Sequence, residues 1–116
     1  MSDTTIFHNP NCSTSRQVLQ TLRDAGLDPT VVDYMKVGWT EAELRRILSE
    51  TGLTARELMR TRGDLPGELG LDDPSVGDET ILKAMIEHPV LVERPVVRTG
   101  KGTVLARPKE KIEEIL

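Results

Sequence analysis

Apolar positions change their spacing several times along the chain, and each change marks an element. Ile6 and Phe7 lie in a short β-prone run, Thr4-Thr5-Ile6-Phe7-His8, which Asn9-Pro10-Asn11 interrupts. From Ser13 to Ala25 the apolar residues are Val18, Leu19, Leu22 and Ala25, the spacing of one helix face, and Gly26 supplies a C-terminal stop. Thr30-Val31-Val32-Asp33-Tyr34-Met35 reads as a second strand. Strand, helix and strand in this order form a βαβ unit, which requires parallel pairing and a right-handed crossover.

The middle of the chain has helical spacing. Thr40-Glu41-Ala42-Glu43 has the form of a capping box ahead of Leu44, Ile47 and Leu48, with Gly52 closing the helix. A second box, Thr54-Ala55-Arg56-Glu57, opens a short helix expected to run through Leu58, Met59 and Arg60. Gly63 to Gly77 holds four glycines and two prolines and reads as loop with at most one short turn. Asp78 is the expected cap of a helix with Ile81, Leu82, Met85 and Ile86 inward, ended by His88-Pro89. Pro95 to Arg98 and Thr103 to Ala106 are two strands about the turn Thr99-Gly100-Lys101-Gly102, and Pro108 opens a final helix to Leu116. The order β-α-β, helices, β-β-α is an α/β plan of the thioredoxin-like kind, with a helical insertion between its two halves.

Length and composition narrow the function. At 116 residues the chain is expected to be a single domain, 1–116. Fifteen basic against nineteen acidic side chains give a net charge of −4, and there is one Trp, one Tyr and one Phe. Neither the basic footprint nor the stacking aromatics of a nucleic-acid binder are present. No apolar stretch approaches the ~20 residues of a membrane helix. The opening Met1-Ser2-Asp3-Thr4-Thr5 has no basic segment followed by an apolar run, so a cytoplasmic location is expected. One cysteine rules out an internal disulfide and a cysteine-built zinc cage. His8 and His88, eighty residues apart, give no metal signal.

The chemistry therefore turns on Cys12. It lies between a strand end and a helix start, where unpaired N–H groups and the helix dipole favour negative charge. A thiol so placed often titrates at roughly 4–7 and is a thiolate at neutral pH. The same helix end can seat an anionic substrate. The bland alternative is a small buried hydrophobe, the commoner fate of a lone cysteine. The polar run around Cys12 argues against burial. Cys12-Ser13-Thr14-Ser15 has Ser15 where a dithiol oxidoreductase has its second cysteine, so a redox cycle must borrow its resolving thiol. A Cys-x5-Arg phosphatase loop fails, because the residue six past Cys12 is Val18. Ten arginines stand against five lysines; Arg60, Arg94 and Arg107 fall at element ends, where binding residues often sit, while most of the others read as solvated surface.

The stretch His8-Asn9-Pro10-Asn11-Cys12-Ser13-Thr14-Ser15-Arg16 resembles the signature of the glutaredoxin-coupled arsenate reductases, the ArsC family. Leu53 to Arg60 resembles that family's central helix ending in arginine, His88 to Val97 its "HPILINRPIV" stretch, and Gly102 to Pro108 its closing "G-T-x-L-x-R-P". The resemblance implies Cys12 as nucleophile and Arg60, Arg94 and Arg107 as oxyanion-binding residues. It also implies supporting roles for His8 and Ser15, and a cis peptide before Pro95. Arsenate is the implied substrate, with an external thiol (glutathione or an equivalent) as co-substrate and a glutaredoxin-like protein as partner. No bound cofactor or metal is implied, and the protein is expected to be a monomer. Its one departure is length: some members carry a further stretch beyond the helix that ends here at Leu116. Two same-fold alternatives are a glutathione-dependent thiol reductase that does not act on arsenate and an Spx-like, redox-sensing regulator that binds RNA polymerase. Neither needs three arginines around one thiol.

Overall fold

A computed structural model describes residues 3–116. The chain forms two compact units, one ending at Val37 and resuming over Arg94–Leu116, the other Gly38–Glu93.

In the first unit, β1 (Thr5–His8), α1 (Ser13–Asp24) and β2 (Thr30–Asp33) form the expected parallel βαβ, with Ile6 opposite Val31 and His8 opposite Asp33. β3 (Val96–Thr99) and β4 (Gly102–Leu105) form the antiparallel hairpin, with Val97 opposite Val104. β3 also runs antiparallel to β1, giving a four-stranded sheet in the order β2-β1-β3-β4. The two halves thus share one sheet around β1, and the helical segment is inserted between them along the chain. One core cluster joins the apolar face of α1 to the sheet: Val18, Leu19 and Leu22 meet Ile6 and Val97, with Ile112 and Ile115 from the C-terminal segment. Gly26 takes φ +84°, a conformation that a side chain would strain, and stops α1 there.

Two stretches of this unit take a form other than the expected one. The second strand stops at Asp33 instead of Met35, and Tyr34–Val37 is a single helical turn, α2. β1 ends at His8, so residues beyond Asp33 have no strand to pair with, and the chain coils while burying Tyr34 completely. The C-terminal segment is a 3-10 helix, Lys109–Ile115, with Pro108 as its cap and not its first residue. Three residues per turn bring Ile112 and Ile115 onto one face, and both are buried. The peptide bonds before Pro95 and Pro108 are cis.

In the second unit, α3 (Glu41–Thr51) is capped by Thr40, whose side chain accepts from the Glu43 N–H, and ends at Gly52 in the left-handed conformation (φ +76°). α4 (Ala55–Leu58) carries the complete Thr54–Glu57 capping box but is one turn long. Met59 is extended and bridges Val92, so Arg60 lies past the helix and not at its end as expected. Tertiary pairing outweighs helix propensity here. α5 (Leu65–Glu68) is the short turn within the glycine-rich loop. The Arg56 guanidinium ties that loop down through the carbonyls of Leu71, Asp73 and Val76. α6 (Asp78–Glu87) is capped by Gly77 instead of Asp78, whose carboxylate accepts from the Arg56 N–H. Its buried Ile81, Leu82 and Met85 lie on the face that packs on α3 and α4; Ile86 is half-buried. Among the described residues no helix is long and apolar enough to cross a membrane.

Leu22 is fully buried in the first core, whereas Val31 on the edge strand is 40% exposed. In urea titrations Leu22→Ala is expected to cost about 2–5 kcal/mol and Val31→Ala less than ~0.5 kcal/mol. Equal costs would mean that the α1–sheet cluster is not the core of this unit.

Candidate active site

The site begins with the turn between β1 and α1. The Asn9 carbonyl accepts from the Cys12 N–H (3.0 Å), and the Asn9 side chain accepts from the Asn11 N–H (3.0 Å). Arg16 holds the turn from the helix side, its guanidinium donating to the Pro10 carbonyl (2.8 Å). Cys12 is the N-cap of α1, with extended backbone, and its side chain makes no capping hydrogen bond. The sulfur stands at the N-terminal end of the helix, where the Ser15 N–H acts on it. Ser15 is fully buried beneath the turn. Its hydroxyl accepts from the Asn9 N–H (3.1 Å) and lies 2.6 Å from His8 Nδ1. The pattern Asn9…Cys12…Ser15 is thus one folding unit, in which a side chain in the helix fastens the loop that carries the thiol.

Two arginines from the hairpin half reach this position. Arg107 Nη1 lies 3.9 Å from Cys12 Sγ and also donates to the Arg94 carbonyl (3.0 Å). Arg94 is buried, with 5% of its surface exposed. Burial pushes the Cys12 thiol up, but the Ser15 N–H and the guanidiniums of Arg107 and Arg94 outweigh it, so the thiol titrates below its ordinary value. His8 is pushed down from 6.5, chiefly by burial and further by the charges of Arg23 and Arg16, against an opposing pull from Asp33. Burial thus favours the neutral ring, which exchanges a hydrogen bond with Ser15.

The structure therefore gathers Cys12, Ser15, His8, Arg94 and Arg107 within the first unit. Arg60 belongs to the second. There its N–H donates to the Leu91 carbonyl (2.7 Å), and it lines a pocket of about 120 Å³ with Arg62, Asp64, Leu65, Val90 and Leu91. Among the described residues no three His, Cys, Asp or Glu side chains come together as a metal site. Sequence reasoning overlooked Asn9, whose Asn-x-Asn turn signal was legible, and Asp33, which reaches His8 only through the β1–β2 register.

The ArsC family model matches residues 7–115, nearly the whole chain. The chain belongs to the ArsC family. An arsenate reductase of Rhizobium meliloti (strain 1021) is 49% identical over 97% of the chain and 80% of that relative. An arsenate reductase of Escherichia coli (strain K12) is 40% identical over the full chain and 82% of its own length. The solved arsenate reductase of Vibrio cholerae superposes with a TM-score of 0.91 at 38% identity, covering 97% of each chain. These likenesses establish the thioredoxin-like α/β fold of this ArsC-family chain. Chemically, its site sets a thiol of lowered pKa at a helix end beside two guanidiniums, a combination suited to meeting an oxyanion.

In this ArsC-family chain the rate of iodoacetamide alkylation against pH should give a Cys12 midpoint below the ~8.5 of a free thiol. Thiolate reactivity should persist as pH falls from 8.5 towards neutrality and fade only below the lowered midpoint. Removing Arg107 takes away a group that favours the thiolate, so Arg107→Ala should move the midpoint upward, whereas Arg23→Ala should leave it in place. An unchanged midpoint in Arg107→Ala would refute the contribution of that guanidinium.

Proposed function

We propose that this protein is an arsenate reductase that works through the single thiolate of Cys12 and takes its reducing equivalents from an external thiol and a glutaredoxin-type partner. The observation that carries the reading is the Arg107 guanidinium 3.9 Å from the sulfur of a cysteine at a helix N-terminus, in a chain of the ArsC family. Relatives that are arsenate reductases, 40% and 49% identical, support it.

Arsenate at neutral pH is an anion, and a thiolate approaches it against charge repulsion. Arg94 and Arg107, joined in this reading by Arg60, neutralise the oxyanion; a planar guanidinium can pair two oxygens of one arsenate, which an ammonium cannot. The Cys12 sulfur attacks arsenic and displaces one arsenate hydroxyl, which takes a proton from solvent and leaves as water, forming a sulfur–arsenic(V) bond. An external thiolate, glutathione or an equivalent, then attacks this adduct. A sulfur–sulfur bond forms between it and Cys12 as the sulfur–arsenic bond breaks, and the two electrons leave with arsenic as arsenite. The partner's thiol reduces the mixed disulfide on Cys12 by exchange. Ser15, at the position of a second cysteine, cannot perform that last step, which is why the resolving thiol comes from outside.

The test is arsenate-dependent NADPH oxidation in a coupled assay, with different thiols and redoxins supplied in turn. Cys12→Ser should abolish it. Arg60→Ala, Arg94→Ala and Arg107→Ala should each lower kcat/KM for arsenate about 10- to 150-fold, the equivalent of about 1.5–3 kcal/mol for a hydrogen bond to a charged group. Arg→Lys should recover part of the loss. Arg23→Ala and Arg46→Ala are the controls, since Arg46 pairs with Glu50 on an exposed helix face. If the three arginines behave like the controls, the oxyanion clamp is wrong, and a thiol reductase acting on glutathione mixed disulfides becomes the better reading.

A further inference from the structure

Two short backbone strips run antiparallel in the second unit. The Glu93 N–H donates to the Leu58 carbonyl (2.9 Å), Met59 bridges Val92, and the Arg60 N–H donates to the Leu91 carbonyl (2.7 Å). The backbone pairing ends at Arg60, and the chain from Thr61 to Gly63 is exposed loop. Past that end, the Arg62 side chain returns to the opposite strip and grips Glu93 with both arms of its fork, Nη1 to Oε2 at 2.8 Å and Nη2 to Oε1 at 3.0 Å. The Glu93 side chain is only 11% exposed, whereas that of Arg62 is 45% exposed. The pairing is therefore anchored on a nearly buried carboxylate and is not a loose surface contact. Arg60 and Arg62 also line the same small pocket.

We propose that the Arg62–Glu93 pair is a positioning device for Arg60, closing the strip where its backbone hydrogen bonds run out and so holding Arg60 in one orientation. The inference rests on the reading of Arg60 as an oxyanion-binding residue. Arg62 touches no reacting atom in this account; it acts through the backbone two residues before it. A guanidinium must be held in direction as well as in place for bidentate pairing, and small misplacements cost binding strongly.

The test uses Glu93→Gln, which keeps shape and removes charge, Arg62→Met, and Arg62→Lys as the conservative variant. Native-state hydrogen exchange should show the Arg60 amide exchanging faster in Glu93→Gln and Arg62→Met, with the amides of α6 unchanged. In the coupled assay KM for arsenate should rise about 3- to 30-fold with a smaller change in kcat, and Arg62→Lys should restore part of it. Combined with Arg60→Ala, Glu93→Gln should add nothing further, because the residue it positions is gone. Unchanged Arg60 amide exchange, an unchanged KM, or penalties that simply multiply with Arg60→Ala would each overturn the proposal and leave the pair a stabilising contact only. A wild-type protein without arsenate turnover would instead overturn the proposed function, and the amide exchange would still report whether the pair holds Arg60.

Discussion

Everything proposed for this protein depends on keeping one sulfur negative in a partly buried place. Desolvation alone would keep Cys12 a thiol. The fold counters it with a helix end and two guanidiniums, and these come from distant parts of the chain: the α1 N-terminus follows directly from Cys12, while Arg94 and Arg107 arrive on the hairpin half of the sheet. The antiparallel pairing of β3 with β1 is the joint that makes this possible, because it sets the C-terminal half beside the loop that leaves β1. The Asn9–Ser15 fastening then gives the loop a single shape. Losing that fastening would loosen the thiolate's hydrogen bonding without removing any group that touches it.

The same arrangement links stability and chemistry. Ser15 is a buried polar side chain in the apolar face of α1, tolerated because its hydroxyl accepts from the Asn9 N–H and meets His8. The inward face of α1 thus does two tasks: Val18, Leu19 and Leu22 anchor the helix to the core, and Ser15 one turn earlier shapes the loop. His8, buried and with its neutral form favoured, is a hydrogen-bond partner within this support.

Much of this was legible in the residues. The break after His8, the helical spacing from Ser13 and the capping signals at Thr40 and Thr54 placed Cys12 at a helix start and outlined the helical insertion, because these are local signals that depend on neighbours three or four residues away. What was not legible is what depends on partners far along the chain. The turn at Tyr34 follows from where β1 ends, the extended Met59 from its bridge to Val92, and the 3-10 form of Lys109–Ile115 from the burial of both isoleucines. Arg107 lies 95 residues from Cys12, and no spacing rule connects them; its place at an element end and the resemblance to a family made it a candidate, but only the sheet brings it there. The Arg62–Glu93 pair carried no sequence signal at all, since any of the ten arginines was an equal candidate for a carboxylate 31 residues away.

Mass spectrometry of Cys12 tests most directly whether one cysteine performs half of a two-thiol reduction. The intact protein would be incubated with arsenate alone, and then with arsenate and glutathione but no redoxin. With arsenate alone no more than a single arsenic adduct should form and no arsenite should accumulate. With glutathione added, the mass of one glutathione should appear on Cys12 together with one equivalent of arsenite. Repeated turnover without any added thiol, or arsenite production with Cys12 unmodified throughout, would contradict the account.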